Sequence, residues 1–324
     1  MISTVRSLLA LALAMTLPGL ASTAAAADYP DRPVRVIVGF GPGSSADVSA
    51  RVVSEELSRI LGQRFVVENR PGASSNTAAL GVAKADADGY TLFLGSVANV
   101  INTSLKTSSV DLQKDLKPVA LLCALPNILV VHPSVKATSV KELIALAKAD
   151  ANKLNYGSAG PGTSPHLSAE LFKTMASVDM VHVPYTGTAQ AAQDLIAGRL
   201  QLMFAPASTA LPQIDAGNLR ALAWSTATRG ASLPQLPTVA EAGLPGFETA
   251  LWFGIVAPAD TPDAIRDRLA EAIGQAVKSE AVLKAFRTQG IEPLDGGPAA
   301  FARYIAAETA RWADVAAKAG LVKP

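Results

Sequence analysis

The chain has 324 residues, enough for two domains of ordinary size, and is 49% hydrophobic, which excludes a disordered protein. Its 28 basic residues against 27 acidic ones leave no basic stripe for duplex nucleic acid, and 5% aromatics supply no base-stacking platform. The single cysteine, Cys123, excludes an internal disulfide framework and any paired-cysteine zinc or redox motif.

Residues 1–27 read as a secretory signal. Arg6 is the positive head, residues 8–15 are apolar, and Ala25-Ala26-Ala27 gives a small-x-small cleavage pattern before Asp28. The alternative is a membrane anchor, but Pro18 and Gly19 interrupt the apolar run. No cysteine lies near the cleavage point, which argues against a lipoprotein. Cleavage removes one of the 28 basic residues, Arg6, and leaves a neutral mature chain. No later stretch approaches the ~18 unbroken apolar residues of a membrane span. The expectation is an exported, periplasmic protein.

Downstream, strands and helices alternate. Residues 34–40 predict a strand, followed by a small-residue loop and a helix marked by Val48, Val52, Val53, Leu57, Ile60 and Leu61. Further strands are predicted at 64–68 and 91–94, the latter set up by the Asp88-Gly89 turn. The pattern recurs with strands at 154–157, 180–183, 201–204 and 219–223, and a helix marked by Leu167, Leu171, Phe172 and Met175. Helices are predicted at 262–278, 281–288 and 298–319, with Pro262 and Pro298 at tolerated first-turn positions. Strands that alternate with helices point to an α/β protein with parallel sheets.

Two apolar runs, 128–133 and 252–258, both end at proline. If they cross between two lobes, residues 28–128 plus 252–324 form a discontinuous first lobe and 129–251 form the second. Paired crossings make a hinge, and ligand clefts favour such interfaces.

Two glycine loops carry the chemistry. Residues 40–47 and 158–166 both contain Gly-Pro-Gly-[Ser/Thr]-Ser, and both follow a strand and open a helix. Glycine lets backbone N–H groups approach a ligand, and a helix N-terminus adds unpaired donors and a positive dipole end. Each loop is therefore a candidate carboxylate or phosphate seat, and the pair could grip one small anion from both sides. The alternative is two ordinary turns with Ser or Thr caps. The candidate contacts are Phe40, Gly43, Ser44, Ser45 and Asp47 from the first loop, and Ala159, Gly160, Thr163 and His166 from the second. Tyr185, which leads into Thr186-Gly187-Thr188, and Ser96, just past the third strand, complete the set. Asp47 has two readings: shaping its own loop, or accepting an ammonium or ordering bridging waters. No Lys or Arg lies inside either loop, so dipoles, hydroxyls and waters would hold the anion.

Enzyme readings are weaker. Gly41, Gly43 and Ala46 fit a dinucleotide fingerprint, with Glu68 at the distance of a ribose-binding acid, but Pro42 removes a donor from the turn. There is no G-x-S-x-G elbow and no metal-binding H-E-x-x-H, so no metal or cofactor is expected. Of the three histidines, His132 and His182 read as structural and His166 as a candidate contact.

Six segments carry a family resemblance. They are Tyr29-Pro30-Asp31-Arg32-Pro33, Val67-Glu68-Asn69-Arg70-Pro71-Gly72-Ala73 and Asp88-Gly89-Tyr90-Thr91-Leu92, then Lys153-Leu154-Asn155-Tyr156, Val181-His182-Val183-Pro184-Tyr185 and Leu236-Pro237-Thr238-Val239-Ala240-Glu241-Ala242-Gly243. In this order and spacing the chain resembles the Bug-type receptors, the periplasmic substrate-binding proteins of tripartite tricarboxylate transporters. The resemblance implies a type II periplasmic binding protein fold, two α/β lobes with a cleft and hinge, closing over a small carboxylate. It implies that loops 40–47 and 158–166 hold the carboxylates, partly through bridging waters. The implied partners are the carboxylate and the membrane transporter subunits, with a membrane sensor as the alternative partner and the receptor itself a monomer. The chain departs from the family at Ser44-Ser45 and Ser74-Ser75, where glycine is common, and at Ala205, where an acid is common. Loss of that acid argues against an amino-acid ligand and for an aliphatic or aromatic mono- or dicarboxylate.

Overall fold

The computed structural model describes residues 29–105, 108, 110–149 and 154–318. The signal segment predicted at 1–27 lies outside them. In chain order the elements are β1 (Val34–Val38), α1 (Ser45–Leu61), β2 (Phe65–Asn69), a 3-10 turn (Ala73–Ser75), α2 (Asn76–Ala83), β3 (Thr91–Ser96), α3 (Val97–Ser104) and β4 (Leu116–Val131). Then come α4 (Val140–Ala149), β5 (Asn155–Ser158), α5 (Ser164–Ala176), β6 (Val181–Pro184), α6 (Thr188–Ile196), β7 (Leu202–Pro206), α7 (Ala207–Asp215) and β8 (Arg220–Trp224). The chain closes with β9 (Ala250–Pro258), α8 (Asp263–Ala276), α9 (Glu280–Thr288), β10 (Glu292–Gly296) and α10 (Pro298–Lys318). Among the described residues, no helix is long and apolar enough to cross a membrane.

The strands form two lobes joined by β4. In the first lobe β1 lies parallel between β2 and β3. In the second, β5 lies parallel between β6 and β7. The predicted parallel pairing thus holds within each βα half. The crossing strands are different: β9 runs antiparallel to β3, and β4 runs antiparallel to β9, β7 and β8. The sheets are therefore mixed rather than parallel, because the chain must return between lobes.

The run predicted at 128–133 is only the end of a strand of 16 residues. Its first half, 116–126, pairs with β9 from Leu116↔Pro258 to Pro126↔Ala250. Its second half pairs with β7 from Asn127↔Pro206 to Val131↔Leu202. Pro118 and Pro126 mark the first half as broken in sequence. The ladder tolerates Pro118 at a register shift and Pro126 at the change of sheet. β10 was also not predicted; it pairs with β4 within the region expected to be helical only.

One hydrophobic core underlies the first lobe and reaches α5 of the second, and a smaller one joins Ile128, Val130, Leu195, Met203 and Trp224. Cys123 is a buried free thiol, pushed up to about 12 by burial. The crossing strand β9 is pinned to α10 by Glu308, whose carboxylate accepts from Trp252 Nε1 at 3.0 Å and Trp312 Nε1 at 2.9 Å. Both indoles are almost fully buried. Glu308→Ala should orphan two buried donors and lower the unfolding free energy by about 3 kcal/mol, read from denaturant melts.

Candidate ligand-binding site

The two glycine loops face each other across the cleft. Ser44 caps α1, its Oγ accepting from Asp47 N at 3.3 Å, and Gly62 ends the helix in the left-handed conformation. Asp47 turns back and accepts from Gly43 N, Arg51 Nε and Asn69 Nδ2, each at 2.9 Å. Asn69 also donates to the Phe40 carbonyl at 3.0 Å. Burial would raise the Asp47 pKa, but the bonds from Arg51, Gly43 and Asn69 outweigh it and hold the carboxyl below its ordinary value. Asp47 therefore shapes the loop that Phe40 and Ser44 occupy.

The second loop holds the same strand-to-helix position, but its N-cap side chain makes no bond to the helix. Thr163 caps α5, with Pro165 in the first turn. Thr163 Oγ1 donates to the Gly160 carbonyl at 2.7 Å, and Gly160 N donates to Ser158 Oγ at 3.0 Å. Gly160 and Gly162 have φ of 115° and 73°, a region costly for side chains. At Gly162 a Cβ would also lie 2.5 Å from Asn102 Oδ1, on α3 of the other lobe. Gly162 N donates to His166 Nδ1 at 3.2 Å, which leaves the proton of a neutral His166 ring on Nε2.

Between the loops lies a cavity of about 620 Å³, within the range of small-molecule sites. Phe40, Gly72, Ala73, Ser74, Asn76, Asn102 and Leu105 form one wall, and residues 159–162, His166, Pro184, Tyr185 and Thr186 the other. No Lys or Arg lines it. Beside it is a void of about 20 Å³ where Phe40, Ser44, Ser45, Thr163, Ser164 and Thr188 meet. That is room for a single water. The N-termini of α1, α5 and α6 converge there, bringing three positive dipole ends together.

Of the sequence candidates, Phe40, Ala159, Gly160, His166 and Tyr185 line the cavity, and Phe40, Ser44, Ser45 and Thr163 line the void. Gly43, Asp47 and Ser96 line neither. Gly43 is exposed, with its N–H committed to Asp47. Ser96 is fully buried and forms a capping box with Asn99. Asn76, Asn102 and Leu105 reach the cavity from α2 and the α3 end, with no local motif to mark them. Their roles follow from helix placement, which only the assembled lobe fixes.

His182 lies behind the second loop rather than in a plain core. Its ring stands 4.3 Å from that of His166 and 4.9 Å from that of Tyr156, and its Nε2 is 2.7 Å from Ser158 Oγ. Tyr156 OH donates to Glu170, which also pairs with Lys173. Burial, and then the His166 ring, push His182 down to about 4, and burial lowers His166 as well. Partial desolvation, and then its bond to Asp194, push the hydroxyl of the half-buried Tyr185 up to about 12.

A cleft between two α/β lobes, with a strand-to-helix glycine loop from each, defines a two-lobed binding protein. The chain belongs to the tripartite tricarboxylate transporter family receptors, whose profile matches residues 49–321. BugT of Bordetella pertussis is 37% identical over 305 residues, covering 93% of this chain and 94% of that protein. An R. palustris protein solved with adipate is 41% identical with a TM-score of 0.88, covering 90% of this chain and 99% of that one. MatC of Rhodopseudomonas palustris, solved with bound malate, is 32% identical with a TM-score of 0.85, covering 89% of this chain and 99% of its own. The family is one of receptors, so the dehydrogenase reading of Gly41, Gly43, Ala46 and Glu68 is set aside. Glu68 instead pairs with Arg70 and Arg35.

The His182 ring should titrate with a midpoint near 4, measured by NMR. Its folded pKa lies below the unfolded value of ~6.5, so the unfolded chain binds the extra proton between those two values. Stability should therefore be complete above pH ~6.5 and fall as pH drops toward 4. His182→Phe should flatten that slope.

Proposed function

We propose that this chain is a periplasmic receptor that captures a small carboxylate between its lobes and delivers it to the membrane subunits of a tripartite tricarboxylate-type transporter. One observation carries the reading: two glycine loops, one per lobe, open helices whose N-termini converge on the same small space. Anions settle at such termini because unpaired N–H groups and the helix dipole both favour negative charge. With no cationic side chain lining the cavity, the carboxylate is held by backbone N–H groups, hydroxyls and a bridging water. Adipate and malate in the two related structures support this ligand class.

In this reading Gly160 and a water held in the void by Ser44, Ser45 and Thr163 seat the carboxylate, while Phe40, Ala159, His166 and Tyr185 enclose the rest. Gly43, Asp47 and Ser96 act in support. Ser44 Oγ accepts from Asp47 N and keeps its own proton for that water. Thr163 spends its proton on Gly160 and can only accept from the ligand or a water. His166 offers Nε2–H. The lobes are residues 28–128 plus 252–324 and residues 129–251. The hinge follows β4 and β9, and the change of partner at Pro126 and Asn127 supports that boundary.

A thermal-shift screen of small carboxylates, adipate and malate included, tests the reading. Binding at ~100-fold excess over Kd should stabilise the native protein by ~2.7 kcal/mol. Ser44→Ala should then weaken the best ligand roughly tenfold by calorimetry, the scale of a lost bond to a charged group. Stabilisation by none of the acids would refute the proposal.

A further inference from the structure

The segment from Gly72 to Asn76 joins β2 to α2 and forms part of the cavity wall. Its backbone is unusual. Ala73, Ser74 and Ser75 have φ of 45°, 51° and 78°, three consecutive non-glycine residues in the left-handed region. Side chains avoid that region because Cβ crowds the following carbonyl. Among the described residues one other non-glycine residue lies there, Ser177, at the C-terminus of α5. Strain of this kind persists only where surrounding contacts hold it, and it gathers at functional sites.

The contacts explain what holds it. Ser74 Oγ reaches across the cleft and donates to the Pro161 carbonyl at 2.5 Å. It lies 2.9 Å from the place a Cβ on Gly160 would take. Ser75 faces the other way and is fully buried. Its Oγ has no partner and sits 2.0 Å from where a Cβ on Gly39 would be, directly before the first glycine loop. The segment is thus wedged between both loops, with one serine against each. Glycines at 74 and 75 would give the same backbone with less strain and without either contact.

We propose that Ser74 is a positioning residue of the cleft: its hydroxyl ties the second glycine loop to the first lobe when the lobes are closed, and so sets how long a bound carboxylate stays. The proposal rests on the two-loop reading of the site. Release requires the lobes to part, and parting them breaks the Ser74–Pro161 bond. The bond does not obstruct entry, because it forms only on closure. Ser74 therefore acts on the dissociation rate and leaves the association rate alone.

The test uses Ser74→Ala, which keeps the strained backbone and removes the hydroxyl, and Ser74→Gly, which removes both. Ser177→Ala is the control for a left-handed serine away from the cleft. Adipate, malate and benzoate are the probes, with rates from stopped-flow tryptophan fluorescence and melting temperature measured without ligand. For any acid the unaltered protein binds, both Ser74 variants should dissociate about tenfold faster, the size of one lost hydrogen bond, with association unchanged. Ser177→Ala should change neither rate. Ser74→Gly should melt above Ser74→Ala, since glycine relieves the backbone. Dissociation unchanged in both Ser74 variants would overturn the role of Ser74 and leave the carboxylate site standing. Binding of none of the three acids by the unaltered protein would overturn the role together with the site on which it rests.

Discussion

Between Pro126 and Asn127 the strand β4 stops pairing with β9 and begins pairing with β7 and β8. The rest of the cleft depends on that change of partner. At the crossing, Ser225 N donates to the Asn127 carbonyl at 2.9 Å, and Thr249 N to the Ser225 carbonyl at 2.8 Å, so the second connection is stitched to the first. Asn127 Nδ2 also donates to Ser164 Oγ at 2.9 Å, in the first turn of α5. The same few residues that join the lobes therefore place the N-terminus of a site helix.

The proposed carboxylate site would have to meet an electrostatic demand without a counter-ion. A carboxylate taken from water needs compensation, and Arg or Lys is the common source. Here the cationic side chain nearest the first loop, Arg51, is committed to Asp47 and Asn69. Under the proposed function, compensation would come from three helix N-termini and from backbone donors freed by glycine. Such donors are fixed by the fold and give up little entropy on binding. They also select poorly among carboxylates, so under the proposed function selection would fall to the larger cavity. The lining is small and apolar at Ala73, Ala159 and Pro161, and polar groups stand at Asn76, Asn102 and His166.

Much of this was readable from sequence because the signals were local. A glycine loop, a capping serine and an amphipathic run each lie within about a dozen residues; the three C-terminal helices fall close to their predicted bounds, and α1 and α5 contain the residues that mark them. The long strand β4 was half hidden, because Pro118 and Pro126 carry breaker signals that the register shift and the change of sheet absorb. His182 read as structural, and its place in a stack behind the site became visible only when β5 and β6 paired Tyr156 with it. Asn102 is 60 residues from Gly162, and no spacing rule links them. Ser74-Ser75 showed only as a departure from the family's common glycines, and its meaning lay in the backbone angles.

A carboxylate seated by both loops at once, as proposed, must touch residues of both lobes. The most direct measurement is a two-dimensional amide NMR titration with the tightest carboxylate from a binding screen. Amides of residues 44–47 and of residues 160–166 should shift together, with a single dissociation constant and 1:1 stoichiometry. Saturable shifts confined to one loop, with the other unmoved, would contradict the account.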